Sequence, residues 1–246
     1  MQSRKMSGMR LLGIAVVAIS MTLGLASKSV ASPLVLQLGQ SVGLADIINQ
    51  HGSVQVGDKI FADFSIVGDV TANKVTVTAI QDTFGYGLRF SGGFLAVGNQ
   101  ITDFVLGFSV AVDPQAVDWF ISDVHLRFNG NYVGEGFAEI VEQVFSGGPA
   151  PLGSLLGQMF VSNPPTILEN TFYLQQPLKK IYVLKDVLLY GGGDVPPHKR
   201  LGNVAGTNRA TISVIDQTFS QIPEPGTVLL VAAGLLGVAL TGRRRG

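Results

Sequence analysis

The 246 residues hold 17 basic and 17 acidic side chains, 46% hydrophobic residues, 14% charged ones and no cysteine. That composition excludes a disordered chain, and the missing cysteines exclude disulfides, thiolate zinc sites, cysteine nucleophiles and the acylated cysteine of a lipoprotein. The formal neutrality hides an uneven distribution: residues 32–222 carry ten basic against sixteen acidic residues, a net charge of −6, which excludes a phosphate-binding surface for nucleic acid.

Residues 1–31 read as a secretory signal peptide that starts Sec-type export. Arg4, Lys5 and Arg10 form the positive region, residues 11–25 an apolar stretch, and Ser29-Val30-Ala31 place small residues before a cleavage point at Ser32. An uncleaved N-terminal anchor is the rival reading; the short apolar stretch and the well-placed small residues favour cleavage.

Residues 32–222 are expected to form one all-β domain. A short helix is expected over residues 44–50, ended by His51-Gly52. Residues 60–66, 75–79, 88–97 (broken at Ser91-Gly92-Gly93) and 104–112 follow as strands. In 104–112 both faces are apolar, which predicts a central, covered strand. Val124, Leu126 and Phe128 alternate with Asp123, His125 and Arg127, the pattern of a strand with one wet face. Residues 132–145, 160–162, 171–174, 181–190 and 210–219 complete the strands, although 138–144 also suits a short helix. Gly57-Asp58, Gly68-Asp69, Asn129-Gly130 and Gly191-Gly192-Gly193-Asp194 are expected turns, Asn129-Gly130 as a type I′ hairpin. Two Pro/Gly-rich loops are expected at 146–158 and 191–208. Strands spaced this closely, without long helices between them, predict an antiparallel β-sandwich, jelly-roll or immunoglobulin-like.

The C-terminal segment 223–246 has a different character. Residues 227–240 are apolar on every face, and fourteen of them make a helix of about 21 Å. A hydrocarbon core is about 30 Å thick. A buried core helix is the rival reading, but the all-round apolar run and the arginines that follow it favour a short transmembrane helix whose Arg243, Arg244 and Arg245 snorkel to the surface. The positive-inside rule places both basic termini in the cytoplasm and the acidic middle across the membrane. Pro223 and Pro225 forbid helix and hold Glu224 extended.

Pro223-Glu224-Pro225, an apolar helix and a terminal arginine cluster, in that order, resemble the PEP-CTERM sorting signal of Gram-negative bacteria. The resemblance covers about 25 residues and concerns sorting alone. It implies an exosortase substrate, cleaved near the triplet, with an N-terminal signal peptide as here. It also implies an inner-membrane-anchored intermediate delivered to the cell surface or beyond, and an association with exopolysaccharide and biofilm.

Motifs for chemistry are sparse. Gly107-Phe108-Ser109-Val110-Ala111 is a near-match to a nucleophile elbow, but Ser109 falls in the middle of a strand, where an elbow requires a strand-to-helix turn. His51, His125 and His198 lack ligand spacing, and His125 is read as a strand-face residue. No metal site or cofactor is expected. Asp58, Asp63 and Asp69, and Asp113, Asp118 and Asp123, cluster at turns without loop spacing, which leaves room for a structural calcium ion and nothing more specific. The chain is therefore expected to be non-enzymatic. The alternative is a carbohydrate-binding module acting on exopolysaccharide. Trp119, the sole tryptophan, would serve as platform with Asp118 and Asp123 beside it, and Tyr86, Tyr132 and Tyr190 as further rings. Packing of Trp119 against the core is the competing reading.

Overall fold

Period-two alternation of apolar and polar residues governs nearly every strand, and two sheets are the means of burying the apolar faces. The structure is a computed structural model that describes residues 32–116, 119–149, 151–193, 208–223 and 226, all within one unit, Ala31–Gly246. The strands are β1 (Leu34–Val35), β2 (Ser41–Gly43), β3 (Ser53–Val56), β4 (Lys59–Gly68), β5 (Thr76–Asp82), β6 (Gly85–Val97) and β7 (Ile101–Val112). They continue with β8 (Trp119–Val133), β9 (Phe137–Ser146), β10 (Ser154–Asn163), β11 (Glu169–Leu178), β12 (Lys180–Tyr190), β13 (Arg209–Phe219) and β14 (Gln221–Pro223). One helical turn, α1 (Leu44–Asp46), runs into a π-turn, Ile47–His51, and stops where Gly52 takes φ +70°. That is the expected helix and its expected terminator.

The first sheet has the order β1-β3-β4-β7-β12-β9-β10 and the second β11-β8-β13-β6-β5-β2, with β14 paired to β8. Every pairing is antiparallel except β1 with β3. The eight consecutive strands β6 to β13 thus lie first-eighth-third-sixth in one sheet and second-seventh-fourth-fifth in the other. This is the order of two interlocked Greek keys, a jelly roll. Phenylalanines close the interface between the sheets: Phe61 with Phe219, Phe90 with Phe108 and Phe94 with Phe104, at centroid distances of 5.8, 5.5 and 4.8 Å.

Several expectations need correction. Asn129-Gly130 makes no hairpin turn; it lies inside β8. There Asn129 Oδ1 accepts from the backbone N–H groups of Ser213 and Val214 at 2.9 and 2.8 Å, bridging a bulge in the β13 pairing between Ile212 and Ile215. Ser91-Gly92-Gly93 does not break β6; the strand runs through it as a bulge, with Gly93 at φ +59° and Gly92 and Gly93 lying opposite the single residue Ser213 of β13. The first predicted loop is shorter than expected, because β10 begins at Ser154. Residues 137–146 are strand, as β9. β7 is central, between β4 and β12. The polar face of β8 is not fully wet: Asp123 and His125 are buried, and only Arg127 of the three is exposed.

Candidate functional site

The last described residues form the first site. β13 ends at Phe219, and after Ser220 the chain continues along the same partner strand as β14. Ser220 C=O accepts from Ser122 N–H at 3.0 Å, and Gln221, Ile222 and Pro223 then face Ile121, Phe120 and Trp119. Pro223, the last residue of the described ladder, has no N–H to offer. Gln221 is fastened to the opposite sheet. Lys59 Nζ donates to Gln221 Oε1 at 2.6 Å and to Asp58 Oδ1 at 2.8 Å, while Gln221 Nε2 donates to Asp58 Oδ2. Burial pulls the Lys59 ammonium below its ordinary range, opposed by the bond to Asp58. Of the residues proposed for sorting, Pro223 is exposed at the end of β14. Glu224, Pro225, Arg243, Arg244, Arg245 and the 227–240 helix lie outside the described residues, as do the signal peptide, Ser29 and Ala31; Ser32 is exposed. Among the described residues no helix is long and apolar enough to cross a membrane.

The residues proposed for sugar binding do not gather. Asp118 lies outside the described residues. Trp119 is 39% exposed at the first residue of β8, opposite Pro223. Asp123 is buried, its oxygens accepting from Ser122 Oγ at 3.2 Å and Ser220 N–H at 3.4 Å. Tyr132 sits near the other end of β8, about 40 Å away at about 3.3 Å per residue. It lines an open cavity of about 410 Å³ with Leu95, Asn131, Arg209 and Thr211. Tyr86 packs partly buried against the core, and Tyr190 is half-buried with its ring 6.0 Å from Phe137.

Ser109 and His125 belong to different sheets. Ser109 is buried mid-strand in β7 and donates to Asp63 Oδ2 at 2.7 Å, which also accepts from Lys180 Nζ at 3.0 Å. Burial pushes the Asp63 carboxyl up, but the Ser109 hydroxyl and Lys180 more than offset it and hold the group below 3.8. His125 Nδ1 meets Thr171 Oγ1 at 2.7 Å, and its ring stacks on Phe84 at 3.8 Å. His198 lies outside the described residues.

The turn aspartates likewise have separate partners. Asp69 accepts from Asp103 N–H at 3.0 Å, and Asp113 from Gln55 Nε2 at 2.7 Å and Gln115 N–H at 2.9 Å. Among the described residues no three acidic or histidine side chains gather as metal ligands.

Sequence reasoning missed three residues. Lys185, Glu142 and Gln217 are fully buried and meet between the sheets. The signal was present, since each occupies an inward position of an otherwise apolar alternation.

The comparisons bear mainly on the tail. Residues 221–245 match the model of the PEP-CTERM protein-sorting motif. The chain carries a PEP-CTERM sorting signal. Such a signal implies an exported protein and exosortase as its processing enzyme. The PEP-CTERM match begins at Gln221, so its first three residues are β14 itself.

No curated protein matches the chain. Among solved structures it is similar to the Glycosylation Associate Protein complex from Streptococcus agalactiae (9% identity, 69% of this chain, 25% of that one, TM-score 0.30). It is similar to the enzymatically active domain of bacteriophage CBA120 tailspike protein 4 (12% identity, 67% and 20%, TM-score 0.22). It is also similar to the family 11 carbohydrate-binding module from Clostridium thermocellum, solved with a mixed-linked tetrasaccharide (10% identity, 68% and 91%, TM-score 0.22). The chain spans a quarter or less of the first two, and none of these likenesses bears on its function.

Proposed function

We propose that this is a non-enzymatic β-sandwich exported by a cleaved signal peptide and held briefly in the inner membrane by its C-terminal helix. Exosortase then processes it near the triplet and delivers it to the cell surface or extracellular matrix, in association with exopolysaccharide. The observation that carries the reading is the junction at Pro223. The last described strand of the sandwich ends on the first residue of the Pro-Glu-Pro triplet. A cut after β14 would thus leave the folded domain whole. The commitment of Ser109 to Asp63, in a different sheet from His125, supports the non-enzymatic part. Mass spectrometry of the mature protein from cells with and without exosortase tests this. The expected product starts near Ser32 and ends near the triplet only when exosortase is present; a tail retained in both strains overturns it.

A second reading, exopolysaccharide binding, is favoured at a different place from the one expected. The open cavity lies on one face of the second sheet, where Asn131 of β8, Arg209 and Thr211 of β13 and Leu95 of β6 are in register, so that polar residues adjoin apolar ones. Glycan arrays with Arg209→Ala and Trp119→Ala in parallel decide it: binding lost only in Arg209→Ala supports the cavity, and no binding by the parent chain discards the reading.

A further inference from the structure

Three polar side chains meet where the strand pattern calls for apolar ones. β12 turns Ile181, Val183, Lys185, Val187 and Leu189 inward, β9 turns Ala138, Ile140, Glu142 and Val144, and β13 turns Ile215, Gln217 and Phe219. Lys185 and Glu142 are direct partners on neighbouring strands, and Gln217 reaches them from the opposite sheet. Lys185 Nζ donates to both Glu142 Oε2 and Gln217 Oε1, and lies 5.9 Å from the centre of the Phe108 ring. Gln217 Nε2 donates to the His125 carbonyl at 3.0 Å. Glu142 Oε1 has no hydrogen-bond partner among the described residues.

As a plain ion pair this arrangement is poor. Two ions lose their hydration and one carboxylate oxygen gains nothing in return, so apolar side chains of similar volume would serve stability as well or better. Burial pushes Glu142 toward the acid and Lys185 toward the amine, each opposed by the other's charge. An amine against a carboxamide carbonyl, with an acid in contact and water excluded, is the set of groups that acyl transfer needs.

We propose that Lys185 and Gln217 condense into an intramolecular isopeptide bond that joins the two sheets, with Glu142 as the proton shuttle. The Lys185 ammonium first yields a proton to Glu142. The Nζ lone pair then adds to Gln217 Cδ while the acid protonates Oε1. Glu142 next takes a proton from Nζ and passes it to Nε2. The Cδ–Nε2 bond breaks, ammonia leaves, and the re-forming carbonyl returns its proton to Glu142. One amine and one primary amide become one secondary amide and one ammonia, with no oxidant or cofactor. Afterwards no ion is left in the core.

The bond would fall where a staple is mechanically useful. The chain has no cysteine for a disulfide, and β13 is the strand that leads through β14 into the sorting signal. Pull on an anchored tail would reach the sandwich through β13. The inference rests on the core geometry alone and stands whether or not the tail is processed.

Peptide mass spectrometry of the purified full-length chain, shown to be folded by circular dichroism and digested after denaturation, tests it. The expected result is one branched peptide joining the Lys185 segment to the Gln217 segment, lighter than the two linear peptides by one ammonia. Linear peptides alone, or a Lys185–Glu142 link lighter by one water, overturn the proposal. A folded Glu142→Ala chain is expected to give linear peptides only, and a branched peptide persisting in it overturns the role of Glu142. If that variant does not fold, the parent chain still decides whether the bond exists.

Discussion

Lys59 holds Gln221 across the interface between the two sheets: its ammonium, 1% exposed, donates to the Gln221 amide oxygen at 2.6 Å. One residue from a hairpin turn thus fixes the strand on which the sorting signal begins. Gln221→Ala removes the acceptor for Lys59 and the donor to Asp58, leaving a buried ammonium with one partner where it had two. The expected loss is about 1–3 kcal/mol, which for a domain of this size lowers Tm by about 2–12 °C. Thermal unfolding followed by circular dichroism reads it. An unchanged midpoint would mean that β14 is held by its backbone pairing alone.

His125 makes stability depend on pH. Burial under Phe84 and β11 lowers its pKa below 6.5, and the nearest carboxylates, led by Asp82 and Glu169, only partly oppose this. Its pKa is thus lower folded than unfolded, so the unfolded chain binds the proton first. Stability from this group is complete above 6.5 and drains away as pH falls below that value. His125→Phe should flatten the decline of Tm between pH 7.5 and about 5.5. A decline of equal slope in both proteins would assign the acid sensitivity elsewhere.

Asp216 joins three strands of the second sheet. It accepts from Arg89 Nε and Nη2 at 2.6 and 2.8 Å, and from Arg127 Nη2 at 3.2 Å. Paired, charge-assisted bonds of this kind are the stronger sort, but both guanidinium groups are partly in water, which discounts them. Asp216→Asn should cost about 1–2 kcal/mol at low salt and less at high salt. Urea unfolding at two ionic strengths separates this from a packing effect, which salt would leave unchanged.

The strands were legible because burial on one face of a sheet imposes period two on the side chains; Ile181 to Leu189 and Val124 to Phe128 both followed it. Asn129-Gly130 misled because the same dipeptide suits a positive-φ turn and a bulge, and only the partner strand β13 decides between them. The Lys59–Gln221 contact links residues 162 apart in the chain, and no local pattern announces it. Lys185 differed, since a lysine at the third of five inward positions of β12 is visible in the sequence. Its partners emerged only once topology had set β9 beside β12 and β13 across from it.

Arg243, Arg244 and Arg245, outside the described residues, follow the apolar run 227–240 almost at once. The membrane helix proposed over residues 227–240 would be about 21 Å long, short for a hydrocarbon core of about 30 Å. In the proposed topology its retention would depend on the arginines staying on the cytoplasmic side and snorkelling to the interface. Replacing all three with Gln leaves the apolar run intact and removes the stop. The chain should then pass through the membrane without its pause, so exosortase meets less of it and uncut protein accumulates outside the cell. Fractionation with a C-terminal tag checks this: a tag recovered in the medium supports the arginines as the stop, and unchanged retention in the inner membrane shows that the apolar helix suffices alone.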